Sequence, residues 1–184
     1  MNERPEIRIE MLSNPLYLSG AREMVAAVAR RLSFSDEACG QIALAVDEAL
    51  CNVIRHGYGR SLDRPIWIGL IPVGGVAVPG SSTNPTEALK IVIEDEARQV
   101  DPETIRSRNL EDVRPGGLGV HIIRAVMDEV AYEKRSGKGM RLTMIKKRVD
   151  HPGGGHEPNG AHAAGTACPC PAPAKSGAAG GSHG

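Results

Sequence analysis

The chain has 184 residues, a length that argues for one domain with room for a proper core. Lysine plus arginine number 22 and aspartate plus glutamate 22, so the formal charge is zero, and a sequence pI near 7.0 removes the usual electrostatic case for a duplex-binding protein. With 41% hydrophobic residues but only 3% aromatics, the core must be mostly aliphatic.

Residues 7–11 alternate like a short strand, and 19–32 carry Met24, Val25, Val28 and Leu32 at helical spacing. Ser35 or Asp36 can cap a second helix running to about residue 56, with Ile42, Val46, Ala49 and Val53 on one face. Residues 66–71 and 89–94 read as strands. The seventeen residues 72–88 that connect them are rich in Gly, Pro, Ser and Thr, which predicts a flexible insert or a functional loop. A polar irregular segment follows Asp95, with a short helix around 103–108. Then Pro115-Gly116-Gly117-Leu118-Gly119 leads into a helix over 120–127, and residues 129–134 and 140–147 form a hairpin through Gly137 and Gly139. Consecutive strands joined without helices predict an α+β two-layer sandwich, its mainly antiparallel mixed sheet covered by helices on one face, and not a doubly wound sheet.

Composition changes sharply after Arg148. Residues 149–184 hold nine Gly, five Pro and eight Ala and no Leu, Ile, Met, Phe, Trp or Tyr, which predicts a disordered tail behind a domain over 1–148. The domain alone carries 21 basic and 20 acidic side chains, a net of +1, so the balance is its own. The tail's histidines and Cys168-Pro169-Cys170 are metal-binding residue types at irregular spacing, and Cys39 and Cys51 fall in helical sequence, so no disulfide framework is expected. No apolar run approaches the ~20 residues of a spanning helix, and the first six residues lack a signal peptide's apolar run. A cytoplasmic protein that touches neither membrane nor nucleic acid is expected.

Glu48, Asn52 and His56 recur at every fourth position of the second helix and form one polar stripe. Such a stripe is a solvated face, or else a carboxylate and a carboxamide on adjacent turns that supply a base and a hard oxygen ligand for Mg²⁺. Asp95 closes an apolar strand, as a turn residue or as a buried acceptor for the exocyclic amine of a purine. The glycine-rich turn before the 120–127 helix leaves bare backbone amides where an anion can approach closely, although it is not a Walker loop.

Taken in order, Glu-x-x-x-Asn on a helix, Asp at a strand end and a glycine turn before a helix resemble the Bergerat-type ATP-binding fold of gyrase, the Hsp90 chaperone and histidine kinases. Val46-Asp47-Glu48-Ala49-Leu50-Cys51-Asn52-Val53-Ile54-Arg55-His56-Gly57-Tyr58 is similar to the first box of the anti-sigma-factor serine kinases, and residues 116–130 resemble their glycine box and following helix. The resemblance spans roughly residues 8–148. It implies a kinase that holds a sigma factor inactive and phosphorylates a serine of a small STAS-type antagonist protein, with ATP and Mg²⁺ as cofactors and a homodimer as its assembly. Glu48 would be the general base, Asn52 would hold Mg²⁺, Asp95 would read adenine, and Gly117, Leu118 and Gly119 would line the phosphate turn. Arg22 matches a family arginine near the nucleotide and partner surface. Ala97 and Gln99 stand where the family usually has glycine, and Met140 where it usually has threonine. These departures motivate the alternative, a partner-switching binding protein with weakened or absent nucleotide binding.

Overall fold

The computed structural model describes residues 4–74, 86–106 and 118–149. In chain order they form β1 (Ile7–Leu12), a single 3-10 turn (Pro15–Tyr17), α1 (Leu18–Arg31), α2 (Asp36–Asn52), a π-helical segment (Val53–Gly57), β2 (Pro65–Val73), β3 (Ala88–Asp95), α3 (Pro102–Arg106), α4 (Gly119–Val126), β4 (Glu129–Lys134) and β5 (Met140–Lys147). Gly117, most of the 72–88 connection and everything from residue 150 onward, including the expected tail and its metal-binding residue types, lie outside the described residues.

Local chemistry sets the helix boundaries. The Ser35 hydroxyl accepts from the Ala38 amide at 3.2 Å, and Asp36 and Glu37 occupy the first turn of α2, where a carboxylate meets the positive end of the helix dipole. Asp101 caps α3 in the same way through the Glu103 amide at 3.1 Å, with Pro102 opening the helix.

The five strands lie in the order β1-β2-β3-β5-β4, and all four pairings are antiparallel. The expected α+β layering is present. The sheet is wholly antiparallel among the described residues rather than mixed, because β2–β3 and β4–β5 are consecutive antiparallel pairs and β5 inserts between β3 and β4, the two strands that run the same way. One face of the sheet supplies Ile66, Ile68, Leu70, Leu89, Ile91, Ile93, Leu142 and Met144 to a core completed by Val25, Ala29, Ile42, Val46, Ala49, Leu50 and Ile123 from the helices. That core is aliphatic, as the composition requires, with Phe34 its one buried aromatic among the described residues. The opposite face carries Arg8, Trp67, Lys90, Glu94, Glu133, Arg141 and Thr143.

The second helix departs from expectation at its end. Regular α-helix stops at Asn52, and residues Val53–Gly57 widen into a π turn closed by the Tyr58 amide on the Val53 carbonyl at 2.8 Å. A wider turn takes more residues per revolution, so His56 stays on the side of Asn52 instead of drifting around the helix. Both residues consequently line one cavity.

Candidate functional site

Glu48 and Asn52 sit one turn apart on α2, facing the first residue of α4. A Cβ placed on Gly119 would lie 2.6 Å from Glu48 Oε2, 3.1 Å from Asn52 Nδ2 and 3.3 Å from Asn52 Oδ1, so glycine lets α4 start this close without displacing the two polar side chains. Asn52 Nδ2 is buried and has no hydrogen-bond partner among the described residues. An orphaned buried amide costs about 1–3 kcal/mol, so Asn52 offers a donor that an incoming acceptor would satisfy. The first amides of α4, like those of any helix, have no intrahelical acceptor, and among the described residues no side chain caps them. A buried donor, a carboxylate and an uncapped helix start therefore converge on one spot, a combination suited to phosphate and a hard cation.

Asp95 lies at the end of β3, only 5% exposed. Its Oδ1 accepts from the Ala97 amide at 2.8 Å and from the Met140 amide at 3.2 Å. Burial raises its pKa above the usual carboxylate value, and these two amides, with the nearby Arg135 guanidinium, pull it partly back. Gly139 (φ +85°) makes the approach of β5 possible, since any Cβ there would overlap the Asp95 carbonyl oxygen.

Between Asn52 and Asp95 lies a cavity of about 170 Å³, lined by Asn52, Val53, His56, Gly57, Asp95, Ala97, Arg98, Val100, Ile105, Val120, Tyr132 and Met140 and predominantly apolar. Neither Ala97 nor Gln99 has a positive φ, so neither needs the backbone freedom of glycine in this chain. The Ala97 methyl is admitted because Gly57 opposite has no side chain; a Cβ there would be 3.0 Å away. The Gln99 side chain donates to the Arg135 carbonyl at 2.7 Å, and Met140 contributes its amide to Asp95.

Of the residues expected at the site, Asn52 and Asp95 share this cavity, and Glu48 lies beside Asn52 against Gly119 but does not line it. Leu118 is 49% exposed at the entrance of α4, while Gly117 is outside the described residues. Arg22 stands apart from the cavity, paired at 3.4 Å with Asp47, the residue preceding Glu48. Sequence reasoning missed Tyr132, Val100 and Ile105 as cavity walls and Tyr58 and Arg135 as partners of the Asp95 turn. Tyr58 lies inside the first box, but nothing local to it signals a contact 38 residues away.

Comparison with known proteins gives the family of the domain. A family model described as the histidine kinase-like ATPase domain matches residues 11–146. The chain belongs to that family. Among its relatives, the serine-protein kinase RsbW of Oceanobacillus iheyensis is 28% identical over 145 residues, 74% of this chain and 84% of the relative. The serine-protein kinase RsbW of Staphylococcus aureus is 27% identical over 150 residues, 77% of this chain and 87% of the relative. Among solved structures, the mycobacterial sensor histidine kinase MprB is similar with a TM-score of 0.45 and 14% identity over 77% of this chain and 98% of that one. The histidine kinase domain of the Erythrobacter litoralis EL346 blue-light activated kinase gives a TM-score of 0.42 at 18% identity, covering 72% and 60%. The kinase-like ATPase resemblance of the two sequence boxes thus holds at the level of the family, and no helix among the described residues is long and apolar enough to cross a membrane.

Proposed function

We propose that the protein is an ATP-dependent serine-protein kinase that doubles as an anti-sigma factor, phosphorylating a serine of a small STAS-type antagonist and holding a sigma factor inactive. The observation that carries the nucleotide reading is the buried, unpartnered Asn52 Nδ2 beside Glu48 and the uncapped start of α4. The donor set fits Mg-ATP: Asn52 offers a carboxamide oxygen to the metal and an amide to phosphate, and Gly119 leaves room at the helix start. A cavity of about 170 Å³ is smaller than the ~300–1,000 Å³ of whole-ligand pockets, so it suits the base alone. Asp95, its Oδ1 engaged by two backbone amides, would turn Oδ2 to the exocyclic amine of adenine.

Bound Mg-ATP supplies the phosphoryl group and the cationic charge that offsets its developing negative charge. The chain's part is to position and to move a proton. Glu48, held beside Asn52, would take the proton of the incoming serine hydroxyl, a role typically worth about 10²–10⁴ in rate. Incubation with ATP, Mg²⁺ and a candidate antagonist should transfer phosphate to serine, and Glu48→Gln should stop transfer while leaving nucleotide binding in place. Transfer that survives this change overturns the assigned role.

The partners follow from the resemblance to anti-sigma-factor kinases and from the relatives named serine-protein kinase RsbW. The near-neutral domain supports a protein target over DNA, and a sigma factor as target places the protein in the cytoplasm. The same resemblance implies a homodimer, which sedimentation of the full chain at micromolar concentration decides. Ala97 and Met140 line the base cavity without closing it, so the non-catalytic alternative has no structural support from those two positions.

A further inference from the structure

The peptide group between Asp95 and Glu96 is held at both ends by side chains from distant segments. Its carbonyl oxygen accepts from Arg135 Nη1 at 2.6 Å, and its N–H donates to the Tyr58 hydroxyl at 2.6 Å. Tyr58 in turn donates to the Pro65 carbonyl at 2.6 Å, so its hydroxyl bridges the start of β2 to the end of β3. Arg135 is itself fixed from two further sides. Its Nε lies 3.6 Å from Glu94 Oε1, and its guanidinium carbon lies 5.1 Å from the centroid of the Trp67 ring. A peptide plane gripped at its oxygen and at its hydrogen cannot rotate, so Asp95 ψ and Glu96 φ are fixed, and with them the position of the Asp95 side chain relative to the Ala97 and Met140 amides that hold its carboxylate.

We propose that Tyr58 and Arg135 are positioning residues for the purine, clamping the Asp95–Glu96 peptide so that the Asp95 carboxylate is aimed into the base cavity before any ligand arrives. This inference rests on the nucleotide reading above and says which residues give it its base selectivity. Neither side chain lines the cavity. Their effect passes through Asp95 and is confined to the one ligand group Asp95 addresses, the exocyclic amine.

That confinement provides the test. Titration calorimetry of the full chain with Mg-ATP and with Mg-purine riboside triphosphate, which lacks the 6-amino group, separates aim from general damage. Wild-type protein should prefer ATP. Tyr58→Phe and Arg135→Met should each weaken ATP binding by roughly tenfold, the scale of a hydrogen bond to a charged acceptor, while binding of the analogue changes less than about twofold. Arg135→Lys, which keeps a donor for the Asp95 carbonyl, should recover part of the loss. In the ligand-free protein, Tyr58→Phe should speed hydrogen exchange at the Glu96 amide beyond any change in global unfolding. Equal losses for the two nucleotides, or ATP affinity untouched by both variants, overturn the clamp while leaving the function standing. Wild-type protein that binds neither nucleotide removes the function and the clamp together. If Tyr58→Phe does not fold, the Arg135 pair carries the same comparison.

Discussion

Asn52→Ala separates what the site costs from what it does. Among the described residues Asn52 Nδ2 is buried without a partner, so truncation should relieve up to about 1–3 kcal/mol of desolvation. Asn52 has helical backbone angles (φ −65°, ψ −44°), and alanine gains up to ~0.7 kcal/mol of helix propensity there. Against these stands the packing of the lost side-chain atoms on Gly119, about 1 kcal/mol. The balance is a free protein more stable by about 1–2 kcal/mol, a rise in Tm of roughly 2–8 °C for a chain of this length. Mg-ATP at a hundredfold excess over Kd should stabilise the wild type by a further ~2.7 kcal/mol and the variant not at all. Thermal unfolding with and without Mg-ATP reads both effects. A variant less stable than wild type when free would mean that Nδ2 has a partner, and a variant still stabilised by Mg-ATP would mean that Asn52 does not hold the nucleotide.

Three further outcomes follow. Gly139→Ala should destabilise by about 2–5 kcal/mol, the sum of a left-handed backbone and an overlap with the Asp95 carbonyl; Gly137→Ala, with φ +97° and open space around its Cβ, should cost only the backbone part of about 1–2 kcal/mol, and denaturant titration giving equal costs would refute the close approach. Asp95→Asn keeps an oxygen for the Ala97 and Met140 amides and removes a charge whose pKa burial has raised. At neutral pH it should therefore be at least as stable as wild type yet lose ATP binding. Since the folded protein holds the Asp95 proton more tightly than the unfolded chain, wild type should gain on the variant as pH falls through the folded pKa towards 3.8. The Tyr132 phenol is pushed up to about 12 by burial, so the unfolded chain loses this proton first as pH rises above 10; stability should fall between pH 10 and 12, and Tyr132→Phe should flatten that part of the profile.

Much of the architecture was legible in order and period. The α2 stripe of Ile42, Val46 and Ala49 is buried as its spacing requires, the β4–β5 hairpin turns through Gly137 and Gly139 at positive φ, and β2 and β3 contain the two apolar runs with a few added residues at their ends. Each of these depends on side chains a few residues apart, or on a backbone angle that one residue type favours. The meaning of the substituted glycines was not legible in the same way. Ala97 depends on Gly57 across a gap of forty residues, and Gln99 on a carbonyl in the β4–β5 turn.

The sequence by itself determined that Glu48 and Asn52 share a helix face, that Asp95 ends a strand and that a glycine-bearing turn starts a helix, because helical and strand periods are local. Only the tertiary structure decided that α4 begins against Glu48 and Asn52, that a π turn keeps His56 with them, and that Tyr58 and Arg135 grip one peptide beside Asp95. The Tyr58 and Arg135 contacts join residues about 40 positions apart, and Gly119 lies still farther along the chain from Glu48 and Asn52, so no local pattern encodes these distances, which packing alone sets.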